Sequence, residues 1–210
     1  LETKAGLLDF KRDRTIPYSI STGGPQLTRG DINNDGFDDI FMAASKGTQS
    51  KLYRQLPGGR FVKAPENALP ENRSFNDKDA VFFDADKDGD RDLYIVSGGN
   101  EYNENAPELQ DRLLINDGRG NFVQKKNALP EMLTSGSSVA VADFNNDGHL
   151  DVFVGGRSIP GKYPLAPRSY LLQNSGKRIF KDVTAEFCPG LVDPGIITDV
   201  HATDNNRHGI

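Results

Sequence analysis

The 210-residue chain is long enough to bury a core, and none of its apolar runs approaches the roughly 20 residues a membrane helix needs, so membrane insertion is not expected. A formal charge of −5 argues against a general nucleic-acid binder, and a single cysteine excludes an intramolecular disulfide and a multi-cysteine zinc site. The 22 glycines and 12 prolines describe a chain that reverses direction often.

Taken in chain order, Leu1-Glu2-Thr3-Lys4 lacks the layout of a signal peptide. A run of Gly23-Gly24-Pro25 then leads to a first acidic loop, Asp31-Ile32-Asn33-Asn34-Asp35-Gly36-Phe37-Asp38-Asp39. The segment Asn67-Ala68-Leu69-Pro70-Glu71 opens a second unit. There, short runs rich in β-formers predict strands at 80–83, 93–97, 112–116 and 122–125, with a Gly118-Arg119-Gly120 turn before the last. The second acidic loop, Asp84-Ala85-Asp86-Lys87-Asp88-Gly89-Asp90-Arg91-Asp92, falls between the first two of these strands. Asn127-Ala128-Leu129-Pro130-Glu131 repeats the opening segment. Strands are again predicted at 138–142, 150–156, 169–174 and 179–183, around the loop Asp143-Phe144-Asn145-Asn146-Asp147-Gly148-His149-Leu150-Asp151. The first Asp of each loop recurs after 53 and then 59 residues. Four antiparallel strands at such a period form a β-propeller blade, and no segment shows a sustained helical period, so the class is all-β. Cys188 is expected to be a free, buried thiol.

Calcium takes six to eight oxygens, and a short loop supplies them when alternate side chains turn inward. The shared spacing assigns side-chain ligands at positions 1, 3, 5 and 9 and a backbone carbonyl at 7, with glycine at 6 for the sharp turn. The first loop thus offers Asp31, Asn33, Asp35 and Asp39 with the Phe37 carbonyl. The second offers Asp84, Asp86, Asp88 and Asp92 with the Asp90 carbonyl. The third offers Asp143, Asn145, Asp147 and Asp151 with the His149 carbonyl. Three Ca²⁺ sites are expected, and three ions would carry the formal charge from −5 to +1. Asx-turns in polar hairpins are the plainer account, but carboxylates so crowded would repel without a cation. An EF-hand is excluded because position 12 is Met42, Ile95 or Val154 rather than a bidentate Glu, and each lies in an apolar β-type run.

These loops and the strand residues around them, above all 139–156, resemble the FG-GAP/VCBS repeats of integrin-α-like β-propellers. Such repeats are common in bacterial secreted proteins and in relatives of cartilage acidic protein. The resemblance implies that each calcium loop joins the first two strands of a blade in a ring of about seven. Under it the chain divides into the end of a preceding blade (1–14), blades at 15–66, 67–126 and 127–186, and the start of a further blade (187–210). Three blades do not close a ring, so the chain reads as a segment of a larger propeller, or as one that completes its ring by self-association through open blade edges. Asp204 stands where a fourth loop would begin, but the residues after it complete no site.

Each loop is filled mostly by its own side chains, so the calcium is expected to hold the scaffold rather than to act in catalysis. No residue is assigned a catalytic role; His149, His201 and His208 form no metal triad. Alternating strand direction puts the long inserts at 66–78, 98–111, 127–137 and 155–168 on the face opposite the loops. They carry Glu101, Tyr102, Glu104, Arg157, Tyr163 and Arg168, a mixture suited to a protein or carbohydrate ligand. The expected function is a calcium-stabilised binding or adhesion module that is extracellular, on the cell surface or periplasmic. A polysaccharide lyase or glycosidase is the alternative, although Glu101, Glu104 and Glu108 show no convincing pairing.

Overall fold

Short runs rich in β-formers fold into three four-stranded antiparallel sheets, as the repeat predicts. The structure, a computed structural model, describes residues 5–17, 19 and 26–203. The first sheet joins β1 (Leu27–Gly30), β2 (Asp39–Met42), β3 (Lys51–Leu56) and β4 (Arg60–Lys63) in sequence order. The second joins β5 (Asp77–Phe83), β6 (Asp92–Ser97), β7 (Arg112–Asn116) and β8 (Phe122–Gln124). The third joins β9 (Ser135–Ala142), β10 (Asp151–Ser158), β11 (Tyr170–Asn174) and β12 (Phe180–Asp182). These are propeller-like blades in an all-β chain. No helix among the described residues is long and apolar enough to cross a membrane.

Period-two alternation in the middle blade lets it pack on both neighbours. Phe82, Leu93, Ile95, Leu114 and Phe122 face the first sheet and meet Phe41 and Leu52. Phe83, Tyr94, Val96 and Leu113 face the third sheet and meet Val152, Val154, Leu172 and Phe180. Every residue of β6 is buried as a result. Each such apolar side chain contributes roughly 1.5–3 kcal/mol when taken from water. Aromatic contacts tie down the outer strands: Phe82 to Phe122 at 6.1 Å between ring centres, and Phe83 to Phe180 at 6.3 Å. Between innermost strands, Asp79 accepts from the Val139 N–H and the Ser138 hydroxyl, both at 2.9 Å.

The antiparallel order sends the acidic loops and the β3–β4, β7–β8 and β11–β12 turns to one end. The β2–β3, β6–β7 and β10–β11 connections and the links between blades go to the other. The repeated Asn-Ala-Leu-Pro-Glu segment is such a link, and a glutamine clasps each copy. Gln49 donates to the Pro70 carbonyl (2.9 Å) and accepts from the Asn72 N–H (3.1 Å). Gln110 donates to the Pro130 carbonyl (3.1 Å) and accepts from the Met132 N–H (2.9 Å).

Several expectations need correction. Residues 5–12, assigned to a preceding blade, form the helix α1 (Ala5–Arg12). It docks on the connection end through Asn100, whose side chain donates to Asp9 (3.3 Å) and Asp13 (3.0 Å). Gly155 and Gly156 lie in β10, as the strand expected at 150–156 has it, so the insert expected from 155 opens only after Ser158; the register shifts between Gly155 and Gly156 and again between Gly156 and Ser158. Residues 187–203, assigned to a further blade, contain no strand. After the short helix α2 (Thr184–Phe187), the chain lies against the third sheet, with the Ile197 N–H on the Gly156 carbonyl at 2.9 Å. Cys188 is half-buried, not fully buried, because it sits in the exit from α2. The Gly23-Gly24-Pro25 lead-in and Asp204 lie outside the described residues.

A buried polar pair locks β6 to the start of β7. Asp111 accepts from the Ser97 N–H and from the Tyr94 hydroxyl, each at 2.8 Å. Burial pushes its carboxyl up to about 7, against the lowering by those two donors and by Arg112. Between pH 4 and 7 the unfolded chain releases a proton that the folded chain keeps, so stability falls as pH rises through this window and levels off above it. Asp111→Asn removes this contribution while keeping an acceptor for Ser97. Thermal melts in chelator should show a shallower fall from pH 4 to 7 for the variant and a higher Tm at pH 8, with a gain of up to about 4 kcal/mol. An unchanged slope would show that Asp111 ionises normally in the fold.

Candidate metal centre

Each acidic loop closes the first two strands of its blade, at residues 31–38, 84–91 and 143–150. Two left-handed residues give the loops a common shape. The sixth position is Gly36, Gly89 or Gly148, with φ of 86°, 93° and 84°. The fourth is Asn34, Lys87 or Asn146, with φ of 57°, 63° and 56°. Glycine takes such angles freely and asparagine tolerates them, so the turn is encoded locally at five of these six positions.

Backbone N–H groups then hold the carboxylates. The sixth-position N–H donates to the first Asp in every loop: Gly36 to Asp31 at 2.8 Å, Gly89 to Asp84 at 3.0 Å and Gly148 to Asp143 at 2.7 Å. The seventh-position N–H donates to the fifth Asp: Phe37 to Asp35 and Asp90 to Asp88 at 3.0 Å, His149 to Asp147 at 2.8 Å. In loops one and three the third-position amide donates to the same Asp, Asn33 to Asp35 at 2.9 Å and Asn145 to Asp147 at 2.8 Å.

What these bonds leave over fits a cation. Asn33 Oδ1, Asp84 Oδ1 and Asp86 Oδ1 are buried oxygens with no hydrogen-bond partner. In the second loop one oxygen each from Asp84, Asp86 and Asp88 lies within 4.8 Å of the other two. Buried acceptors without donors are rare, and clustered anionic oxygens suit a hard divalent ion. Neither Asp31, Asp35 and Asp39 nor Asp143, Asp147 and Asp151 form such a carboxylate trio. There the third contributor is an amide.

The ninth residue has a second engagement. Asp39, Asp92 and Asp151 are buried at the start of the second strand. Asp39 accepts from the Ile32 N–H (3.2 Å) and from the Gln55 N–H of β3 (2.8 Å). Asp92 accepts from Ala85 (3.1 Å) and Asn116 (2.9 Å), and Asp151 from Asn174 (2.7 Å). Burial raises all three pKa values, those of Asp92 and Asp151 to about 6, with the backbone donors opposing and neighbouring loop carboxylates adding to the rise. The side chain of the seventh residue Asp90 faces away from its loop and accepts from Asn34 of the first blade at 2.8 Å.

Three contributors were missing from the sequence reading. Asn116 and Asn174 end the third strands and reach back to the preceding blade's loop. Asn116 donates to the Ile32 carbonyl at 2.8 Å, and Asn174 to the Ala85 carbonyl at 2.7 Å. Their shared Asn-x-Gly context was the available signal. The third, Arg178, pairs with Asp86 and Asp88 from the next blade.

On the opposite face, several residues expected to meet a ligand are used by the fold. Tyr102 is buried, with its hydroxyl on the Ser74 carbonyl at 2.8 Å. Glu101 accepts from Asn76, Glu104 pairs with Lys162 at 2.7 Å, and Arg168 pairs with Asp182.

Comparison with known families agrees with this geometry. A model described as FG-GAP-like repeat matches residues 31–95 and again 84–154, together more than half of the chain. Each match begins at one acidic loop and ends in the strand after the next. A search of curated proteins gave no match.

The cross-blade asparagines generate a stability test. Asn174→Ala removes donors from the Ala85 and Leu150 carbonyls and an acceptor from the Gly176 N–H. The expected loss is about 2–4 kcal/mol, since each buried group left unpaired costs ~1–3 kcal/mol. Lys177→Ala, on the exposed side of the same turn, should change stability by less than about 0.5 kcal/mol. Denaturant melts of the two variants give the comparison, and equal midpoints would remove Asn174 from the blade contact.

Proposed function

This chain belongs to the FG-GAP-like repeat family, and from that premise we propose that it is a calcium-stabilised extracellular binding module built on β-propeller blades. Asp84, Asp86 and Asp88 carry the proposal: they gather one oxygen each within 4.8 Å, and Asp84 Oδ1 and Asp86 Oδ1 are buried without a donor. By the same spacing, Asp31, Asn33, Asp35 and Asp39, and Asp143, Asn145, Asp147 and Asp151, would hold ions in the other two loops. The Phe37, Asp90 and His149 carbonyls would complete the three sets. The ion supplies positive charge between carboxylates and joins the two strands that each loop connects, which is a structural role.

Recognition belongs, in this reading, to the opposite face. A groove of about 950 Å³ opens there between the β2–β3 connection and the link to the second blade. Ala43, Leu52 and Ala64 are among its apolar lining residues, while Thr48, Lys51 and Arg73 bring hydrogen-bonding groups to it. Apolar surface beside a few polar groups is the chemistry of a carbohydrate or peptide site. A catalytic reading gains no support from Glu101 and Glu104, which Asn76 and Lys162 engage.

Chelation tests the calcium role. The Tm in EDTA should lie about 5 °C or more below that in millimolar Ca²⁺, because one site held at a hundred times its Kd adds about 2.7 kcal/mol. Readdition of Ca²⁺ should restore it. Coincident melts with and without the ion would reject the structural-metal role.

A further inference from the structure

The three loops differ at one position that the repeat itself makes informative. The third residue is Asn33 in the first loop and Asn145 in the third, but Asp86 in the second. An amide there donates to the fifth-position carboxylate, at 2.9 Å in the first loop and 2.8 Å in the third. A carboxylate cannot donate; Asp86 instead adds a fourth negative charge beside Asp84, Asp88 and Asp92. The second loop therefore lacks a hydrogen bond that the others make and carries an extra charge.

A residue of the next blade supplies that hydrogen bond and offsets that charge. Arg178 lies in the turn between β11 and β12, and its guanidinium pairs with Asp86 Oδ2 through Nε and with Asp88 Oδ2 through Nη2 at 2.8 Å. Asp88 Oδ2 corresponds to the oxygen that Asn33 and Asn145 reach on Asp35 and Asp147. Asp86 Oδ1, like Asn33 Oδ1, remains buried and without a hydrogen-bond partner. A planar fork can bridge two carboxylates in this way, which an ammonium on a flexible stem does less well.

The backbone at Arg178 points the same way. Aligned on the asparagines that end the third strands, Arg178 of the third blade corresponds to Gly120 of the second. Both are left-handed, with φ of 60° and 75°. Glycine takes that conformation freely, whereas an arginine does so at some cost, and residues held at such a cost cluster at functional positions. Gly120 faces the first loop, where Asn33 already makes the bond to Asp35. Arginine stands where the facing loop has Asp, and glycine where the facing loop has Asn.

We propose that Arg178 is the positioning residue of the second acidic loop, replacing from the neighbouring blade the amide donor that the other two loops carry within themselves. It holds Asp86 and Asp88 side by side while Asp86 Oδ1 stays without a hydrogen-bond partner, and it couples the second loop to the third blade. The inference rests on the calcium reading for what the loop serves, but its own test does not require the ion.

The test is a double-mutant cycle on the full chain, with melts in EDTA and in millimolar Ca²⁺. Arg178→Ala keeps a non-glycine residue in the turn, so the loss of the guanidinium is what the melt reads. It should lower the Tm in EDTA by about 2–4 °C. The drop should be smaller in Ca²⁺, because ion and guanidinium relieve the same repulsion. Adding Asp86→Asn to Arg178→Ala restores the loop-one arrangement and should recover more than half of the loss in EDTA. An Arg178→Ala melt equal to wild type in EDTA would overturn the proposal. So would a double variant as unstable as the single one or, where Ca²⁺ raises the wild-type Tm, an equal drop with and without Ca²⁺, since ordinary packing would give both. A wild-type Tm indifferent to Ca²⁺ would defeat the calcium reading alone, and the cycle in EDTA would still decide the role of Arg178.

Discussion

The buried carboxylate at the ninth position of each acidic loop, Asp39, Asp92 or Asp151, is the constraint around which each blade is organised. It opens the second strand and accepts a backbone N–H from the third, at 2.7–2.9 Å in the three blades. In the first two blades its other oxygen takes the N–H of the loop's second residue. One side chain thus sets where the loop ends, where β2, β6 or β10 begins, and how the third strand registers against it. Burial opposes its charge and the N–H donors favour it; burial wins, which is why the pKa lies above the usual carboxylate range. The same oxygens stand beside the other loop carboxylates, so positive charge at the loop centre would stabilise the whole arrangement rather than a single contact.

Blade-to-blade order follows from a different balance. Side chains alternating along β5 and β6 fill both gaps beside the middle sheet, and burial alone would tolerate some sliding of one apolar face over another. Directional bonds at the loop end oppose that sliding. Asn116 and Asn174 reach from the end of one third strand to the second-position carbonyl of the previous loop, at 2.8 and 2.7 Å. Gln49 and Gln110 act at the other end, though within the links between blades. Apolar burial supplies most of the stabilisation, and these amides specify the relation between neighbours.

Much of this was legible in the sequence because the signals were local and repeated. The nonapeptide spacing, the sixth-position glycine and the β-former-rich runs Ala80–Phe83 and Leu93–Ser97 each report on residues close in the chain, and the strands stand within a few residues of where those signals put them. The misses were non-local or lacked a repeat. Helix α1 has no second copy to expose it, and the stretch after α2 carries apolar residues that pass for a first strand until Ile197 is seen bonded to Gly156. Tyr102 and Glu101 read as exposed ligand contacts because an insert of mixed polarity looks the same whether it faces solvent or packs on Ser74 and Asn76. The Arg178 contact spans about 90 residues, and no window along the chain could join it to Asp86.

The division between the two ends of the blades then has a physical origin. At the loop end, three copies of one short motif meet the same demands, charge neutralisation and closure of two strands, and their variation is compensated: where the third position changes from amide to carboxylate, a guanidinium arrives from the next blade. At the connection end the segments differ in length and content, and each is stabilised by its own contacts, α1 through Asn100, the second insert through Tyr102 and Glu101, the third through Arg168. An end whose parts must all satisfy one geometry has little freedom to acquire a partner. An end whose connections are stabilised separately can change one of them without disturbing the sheets, and that freedom is what a recognition surface on a repeated scaffold requires.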